Sequence, residues 1–404
     1  MQTIAGGVCA AKGFKASGIH CGLRKNKALK DLALIVSDVP ASAAAVYTQN
    51  LVKGAPILVT QEHLSDGMAR AIICNSGNAN TCNVDGPAVA KKMCALAGNA
   101  LGIDTRDVIV ASTGVIGQPL PIGPIEGGMG ALVNALGYSN SMDAARAIMT
   151  TDTAVKETAV SFTLGGKECH IGGIAKGSGM IHPNMATMLV FITTDAAISP
   201  VLLQKALSSD ILDTFNMVSV DGDTSTNDMV AVLANGFAKN APIVSETEDY
   251  AAFCAALREI TAYLCRSIAK DGEGATKLLT CKVSGAADAA TARRVAKSIV
   301  CSSLFKAAMF GADANWGRVL CAIGYAGADV DIQKVDVSFS SSAGYIDVCR
   351  DGAGMPFSED TAKDILLQDE ISILVYLNSG ESAATAWGCD LTYDYVKING
   401  DYRS

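Results

Sequence analysis

The stretch from Lys176 to Asp195, KGSGMIHPNMATMLVFITTD, constrains this chain more than any other. Its first half is Gly-rich and polar. Its second half, 188–194, is apolar and β-branched and reads as a buried strand. Thr187 stands at the junction, after the small Ala186. A hydroxyl at the head of a buried strand, after a flexible approach, suits a chain that cuts itself. The Thr187 hydroxyl can attack the Ala186 carbonyl and free a new N-terminus at Thr187. Nucleophile and α-amine would then share one residue, with the amine as base. An α-amine has an ordinary pKa of roughly 7.7–8.0, so it accepts a proton near neutral pH without a histidine. On residue type alone, a Thr in this place is more often simply a good strand former.

The chain has 404 residues, enough for one large or two medium domains with a real core. Half of the residues are hydrophobic and 18% are charged, which is a globular composition. The net charge of −8 argues against a nucleic-acid partner, which needs a basic face. No run approaches the roughly 18 apolar residues of a membrane span, and the N-terminus shows no secretory pattern. Thirteen cysteines without a C-x-x-C pair, in contexts such as Cys74, Cys265 and Cys321, read as small core residues in a reducing cytoplasm. A zinc site or disulfide scaffold is not expected. With four histidines, a His-dependent mechanism has few candidates.

Taken in order, strands are expected over 32–36, 57–60 and 70–74. The last runs into Asn75–Asn80, NSGNAN, a sequence that favours turns and left-handed backbone. A helix is expected over 87–101, with Val89, Met93, Leu96 and Ala100 on one face. A strand over 107–111 delivers Ser112, Thr113 and Gly114 to a loop. Backbone N–H groups and a hydroxyl there can bind a developing oxyanion, although strand–turn–Gly is a common pattern without that role. A helix over 141–149 leads into the hydroxyl-rich TTDT, Thr150 to Thr153. Lys176 lacks the phosphate-binding pattern around it; a carboxylate is its natural partner. Ser199 and Pro200 start a helix with Leu203, Leu207, Ile211 and Phe215 as its apolar stripe. The loop 220–228 is rich in Asp, but its spacing is not that of a calcium loop. A long amphipathic helix over 250–268 precedes Glu273, which is flanked by glycines and free to enter a cleft, though a solvated loop Glu is the commoner case. Further elements are a strand over 278–283, a helix near 289–304, another helix capped by GADANWGRV, a hairpin of 335–340 with 345–349, a helix over 358–367 and a strand over 371–377. Within GADANWGRV, Asp313, Asn315 and Arg318 suit a polar mouth.

The segment KGSGMIHPNMATML closely resembles the processing segment of the ornithine acetyltransferase family, also called glutamate N-acetyltransferases. NSGNAN, STG, TTDT, GDTSTND and the ordered tail follow in that family's order, so the resemblance covers essentially the whole chain. It implies an α/β fold like that of N-terminal-nucleophile enzymes: a layered sandwich of two β-sheets between helices, with a smaller C-terminal α/β subdomain. It implies cleavage between Ala186 and Thr187 into chains 1–186 and 187–404, which stay together and assemble as a heterotetramer of two of each. Thr187 is then the nucleophile, and Thr113 and Gly114 form the oxyanion hole. Thr150, Lys176, Thr187, Glu273, Asn399 and the terminal Ser404 bind substrate; many relatives carry Thr in that last place.

The implied reaction takes acetyl from N2-acetyl-L-ornithine to L-glutamate through acetyl-Thr187, in the cytoplasm, with no metal or organic cofactor. Family members differ in whether acetyl-CoA also donates, and no CoA-phosphate motif is visible. One rival stays open from residues alone: a self-cleaving peptidase or amidohydrolase in which water takes the acyl group. A non-enzymatic binding protein would not cut itself at all.

Overall fold

The computed structural model describes residues 1–182 and 188–400. Two sheets flanked by helices make up an α/β fold. The larger, of nine strands, runs in the order Gln2–Ile4, Lys156–Leu164, Lys167–Lys176, Leu189–Thr194, Met229–Ala234, Leu32–Tyr47, Met68–Asn75, Val108–Ser112; Phe14–Ile19 also pairs with Leu32–Tyr47. Residues from after position 187 thus supply two adjacent central strands, with strands from before it on either side. The smaller sheet, of seven strands, is built wholly from residues after 187 and centres on Leu278–Ala286 between Glu370–Tyr376 and Ser382–Cys389.

The Leu189–Thr194 strand is buried along its whole length. Its side chains alternate between two cores. Val190 and Ile192 pack with Phe253, Leu257 and Ile260 of the long helix Glu248–Lys270; Leu189 and Phe191 pack with Ile148 and Ile57 on the other face. A strand with apolar residues on both faces has no polar alternation to keep, which is why the run is continuous. Its neighbours pin its register. Leu189 pairs with Met229 in parallel and with Lys176 antiparallel. The hairpin before it turns on Gly165 and Gly166, whose φ values of 52° and 75° suit the two central places of a type I′ turn.

The segment expected as a strand over 57–60 lies in the helix Ala55–His63. Pro56 fits its first turn, and Thr60 and His63 reach the Val108–Ser112 strand, donating to the Val110 carbonyl and bonding the Val108 carbonyl. Packing against that strand overrides the β-branched propensity. The helix 86–101 turns its face by one residue: Ala90, Met93, Cys94 and Ala97 are buried, while Ala100 is exposed. The helix expected near 289–304 is two, Ala289–Cys301 and Ser303–Phe310, because Ser302 caps the second with its side chain. All thirteen cysteines are free; Cys74 and Cys265 are buried as expected, but Cys321 is exposed. Cys321 sits on the outer face of Trp316–Gly324, whose Val319, Ala322 and Ile323 face the core. Asn315 caps that helix, and Arg318 donates to the Leu304 carbonyl. No helix among the described residues is long and apolar enough to cross a membrane.

Candidate active site

The strands Met68–Asn75 and Val108–Ser112 run parallel and end side by side, Asn75 opposite Ser112. Asn75 then organises both loops. Its Nδ2 donates to Ser112 Oγ at 2.7 Å, its Oδ1 accepts from the Gly77 and Asn78 amides, and its carbonyl accepts from the Thr113 amide at 2.9 Å. From the other side Asn227 donates to the Ala79 and Ser112 carbonyls, and its Oδ1 accepts from Thr81 and Thr226. Gly114 has φ 128°, and a side chain there would meet the Asn78 nitrogen at 2.8 Å. Only glycine can take that backbone so close to a neighbour. The sequence suggested several backbone donors here. The Thr113 amide is already engaged, which leaves the Thr113 hydroxyl and the Gly114 N–H, neither with a partner among the described residues.

The facing wall is ionic. The loop after Met149 turns back through Asp152, which accepts from the Thr150 amide at 2.9 Å and the Gly177 amide at 2.7 Å. Lys156 bridges Asp152, at 2.7 Å, and Asp271, and all three side chains are nearly inaccessible. Burial opposes charge on Asp152, but Lys176 and Lys156 outweigh it and hold the carboxyl well below the usual range. Glu273 lies 8% exposed and accepts from Asn399 at 2.7 Å, so the final helix Tyr393–Asn399 is tied to the loop after Glu248–Lys270. Lys176, also 8% exposed, ends its strand with no hydrogen bond or ion pair among the described residues. Asp228 sits beside the head of the Leu189–Thr194 strand. Burial drives its carboxyl well above the usual range against a hydrogen bond from Ser225 and the charge of Lys176.

These two walls close on one cleft with a cavity volume of about 160 Å3. Thr113, Gly114, Thr150, Lys176, Glu273 and Asn399 all line it, as do Met188 and Leu189 at the head of the buried strand. Ala186, Thr187 and Ser404 lie outside the described residues. Asp313, Asn315 and Arg318 do not line the cleft. No histidine lines it either. Burial, with the Lys297 charge adding to it, lowers the His182 pKa to about 4, so the ring is neutral against Ser219 and Cys301. Among the described residues no group of His, Cys, Asp and Glu could hold a metal ion.

Sequence reasoning missed Asp152, Lys156, Asp271, Asn227 and Asp228. Asp152 was in view inside TTDT, and Asn227 and Asp228 inside the Asp-rich loop. Lys156 and Asp271 gave no local signal, being 115 residues apart. Two hydrogen-bond donors unpartnered among the described residues, a buried cation and a buried carboxyl on one cleft suit acyl transfer to or from an amino acid.

Known proteins bear on this site. The ArgJ family model matches residues 15–404. The arginine biosynthesis bifunctional protein ArgJ of Caldanaerobacter subterraneus subsp. tengcongensis is 48% identical, over 100% of both chains. ArgJ 1 of Clostridium acetobutylicum is 50% identical over 97% of this chain and 96% of its own. The crystal structure of the arginine biosynthesis bifunctional protein ArgJ from Bacillus halodurans superposes with a TM-score of 0.51 at 48% identity, over 53% of this chain and 99% of its own.

Proposed function

The chain belongs to the ArgJ family, and on that premise we propose that it carries acetyl from N2-acetyl-L-ornithine to L-glutamate, for arginine biosynthesis in the cytoplasm. Lys176 carries the reading. It is a buried ammonium with no hydrogen bond or close salt bridge among the described residues, its charge felt by Asp152 and Asp228, on the wall of the cleft that also holds Thr113 and Gly114. A buried ammonium without a hydrogen-bond acceptor is costly, and the α-carboxylate of either amino acid supplies one.

The chain first cuts itself between Ala186 and Thr187. The chains 1–186 and 187–404 stay associated and form a heterotetramer. Thr187 Oγ then attacks the acetyl carbonyl of acetyl-ornithine while its own α-amine takes the hydroxyl proton. The Thr113 hydroxyl and the Gly114 N–H hold the oxyanion. Thr150, Glu273, Asn399 and Ser404 hold the rest of the substrate. Ornithine leaves, glutamate enters the same place, and its nitrogen takes the acetyl group from Thr187. Both of these relatives are named bifunctional proteins, which supports acetyl-CoA as a second donor to glutamate.

Incubation with acetyl-ornithine alone tests the reading. One acetyl group, about 42 Da, is expected on the chain that begins at Thr187, and glutamate should remove it. An unmodified chain with intersecting double-reciprocal plots would mean direct transfer in a ternary complex.

A further inference from the structure

We infer that Asp228 is a further catalytic residue of this cleft: its carboxyl gives a proton to the departing ornithine nitrogen and takes one back from the arriving glutamate nitrogen. The inference rests on the reading of function above.

Its place follows from the sheet. Met229 pairs in parallel with Leu189, and the Met229 amide donates to the Met188 carbonyl at 2.9 Å. Asp228 therefore lies beside Met188, at the head of the strand that follows the nucleophile, and both residues line the cleft. Asp228 is 3% exposed, and its Oδ2 has no hydrogen-bond partner among the described residues. Buried polar atoms are almost always satisfied, so an orphaned carboxyl oxygen on a substrate cleft points to a ligand atom. Lys176 is the positive charge that bears on it. With the substrate α-carboxylate on Lys176, the α-nitrogen on the adjacent carbon comes within reach of Asp228. Burial makes this carboxyl hold a proton more tightly than an ordinary Asp, as an acid–base group working near neutral pH requires.

The protons balance over a cycle. In the first half the acetamide C–N bond breaks and the ester C–O bond to Thr187 forms. The Thr187 hydroxyl proton passes through the α-amine to the ornithine nitrogen. That nitrogen takes a second proton from Asp228 and leaves as ammonium, so Asp228 becomes carboxylate. In the second half the glutamate ammonium returns a proton to Asp228. The neutral amine attacks the ester, a C–N bond forms, and the C–O bond breaks. The surplus proton on nitrogen goes back to the Thr187 oxygen.

The test uses the full, self-processed protein. Native and Asp228→Asn enzymes are acetylated with p-nitrophenyl acetate, whose leaving group needs no proton. Loss of the acetyl mass is then timed with glutamate or with hydroxylamine, which arrives already uncharged. Asp228→Asn should discharge to glutamate roughly 100-fold slower or worse, while discharge to hydroxylamine changes little. Asp228→Glu should recover part of the glutamate rate. Equal rates with both acceptors, or equal losses with both, would overturn the inference. So would an Asp228→Asn chain that folds poorly, stays uncut or takes no label, which would make Asp228 a structural or processing group. If the native enzyme takes no acetyl from acetyl-ornithine, the reading of function falls instead.

Discussion

The two walls of the cleft hold polar groups by opposite means. Around Thr113 and Gly114 the holding groups are neutral: the Asn75 side chain joins the Ser112 hydroxyl to the Gly77 and Asn78 amides, and the Asn227 side chain joins the Ala79 and Ser112 carbonyls. Around Thr150, Lys176 and Glu273 they are charges, with Lys156 buried between Asp152 and Asp271. A neutral amide network loses little when water leaves, so it can aim two donors with great rigidity. A buried ionic cluster sets the potential of the site, but every member depends on the others. The neutral wall suits oxyanion binding, and the ionic wall suits charged substrates.

Removing Lys156 should break this contrast most. Lys156→Met leaves two carboxylates buried without their shared cation, which costs about 3–5 kcal/mol of stability, read from urea unfolding. Acid should weaken the same wall. The folded Asp152 pKa lies below its unfolded value, so its contribution is complete above roughly pH 3.9 and drains as pH falls below that. A urea midpoint for Lys156→Met equal to that of the native protein would show that the cluster carries no such weight.

Next in size is Thr113→Ala. It keeps the amide bond to Asn75 and removes the free hydroxyl, so stability should hold while the turnover number falls by about 2.7–4 kcal/mol in activation free energy. Thr113→Ser should restore most of it. An unchanged turnover would exclude the hydroxyl from oxyanion binding.

Asn227→Ala tests whether the neutral wall is rigid because it is braced. It removes the Asn227 amide from the Ala79 and Ser112 carbonyls, leaving Ala79 the longer bond from the Thr81 hydroxyl, and should cost about 1–3 kcal/mol of stability. Turnover should fall with it, while the KM for acetyl-ornithine stays near native. A KM rise alone would assign Asn227 to the other wall.

The smallest effect is expected from Asn399→Ala. Losing its bond to Glu273 should raise KM about fivefold, or about 1 kcal/mol, with turnover and self-cleavage unchanged. Identical kinetics would leave the final helix as packing only.

The cleft-lining Thr113, Gly114, Lys176 and Glu273 were singled out in the sequence by the family resemblance, whose motifs there are short and local. Thr113–Gly114 follows its strand, Lys176 ends one, and Glu273 follows a long helix. The supports of those residues were not legible. The Lys156 cluster joins a strand start to a helix end across the molecule, and no periodicity marks a long-range charge pair. Asn227 lay in view, yet its value comes from Ala79 and Ser112, which sequence cannot place beside it. The helix Ala55–His63 was misread because its apolar β-branched residues answer to the strand beneath them, and only tertiary packing settles that choice.

The interleaving of the larger sheet changes the molecularity of unfolding. Leu189–Thr194 and Met229–Ala234 lie between Lys167–Lys176 on one side and Leu32–Tyr47 on the other. Once the chain is cut at the proposed bond, those flanking strands belong to one polypeptide and the central two to another. Neither can leave without tearing both seams, so separation and global unfolding become one event. Melting of the cut protein should then shift upward with protein concentration, as dissociative transitions do. The uncut Thr187→Ala chain should shift less with dilution, because only the contact between its two copies then dissociates.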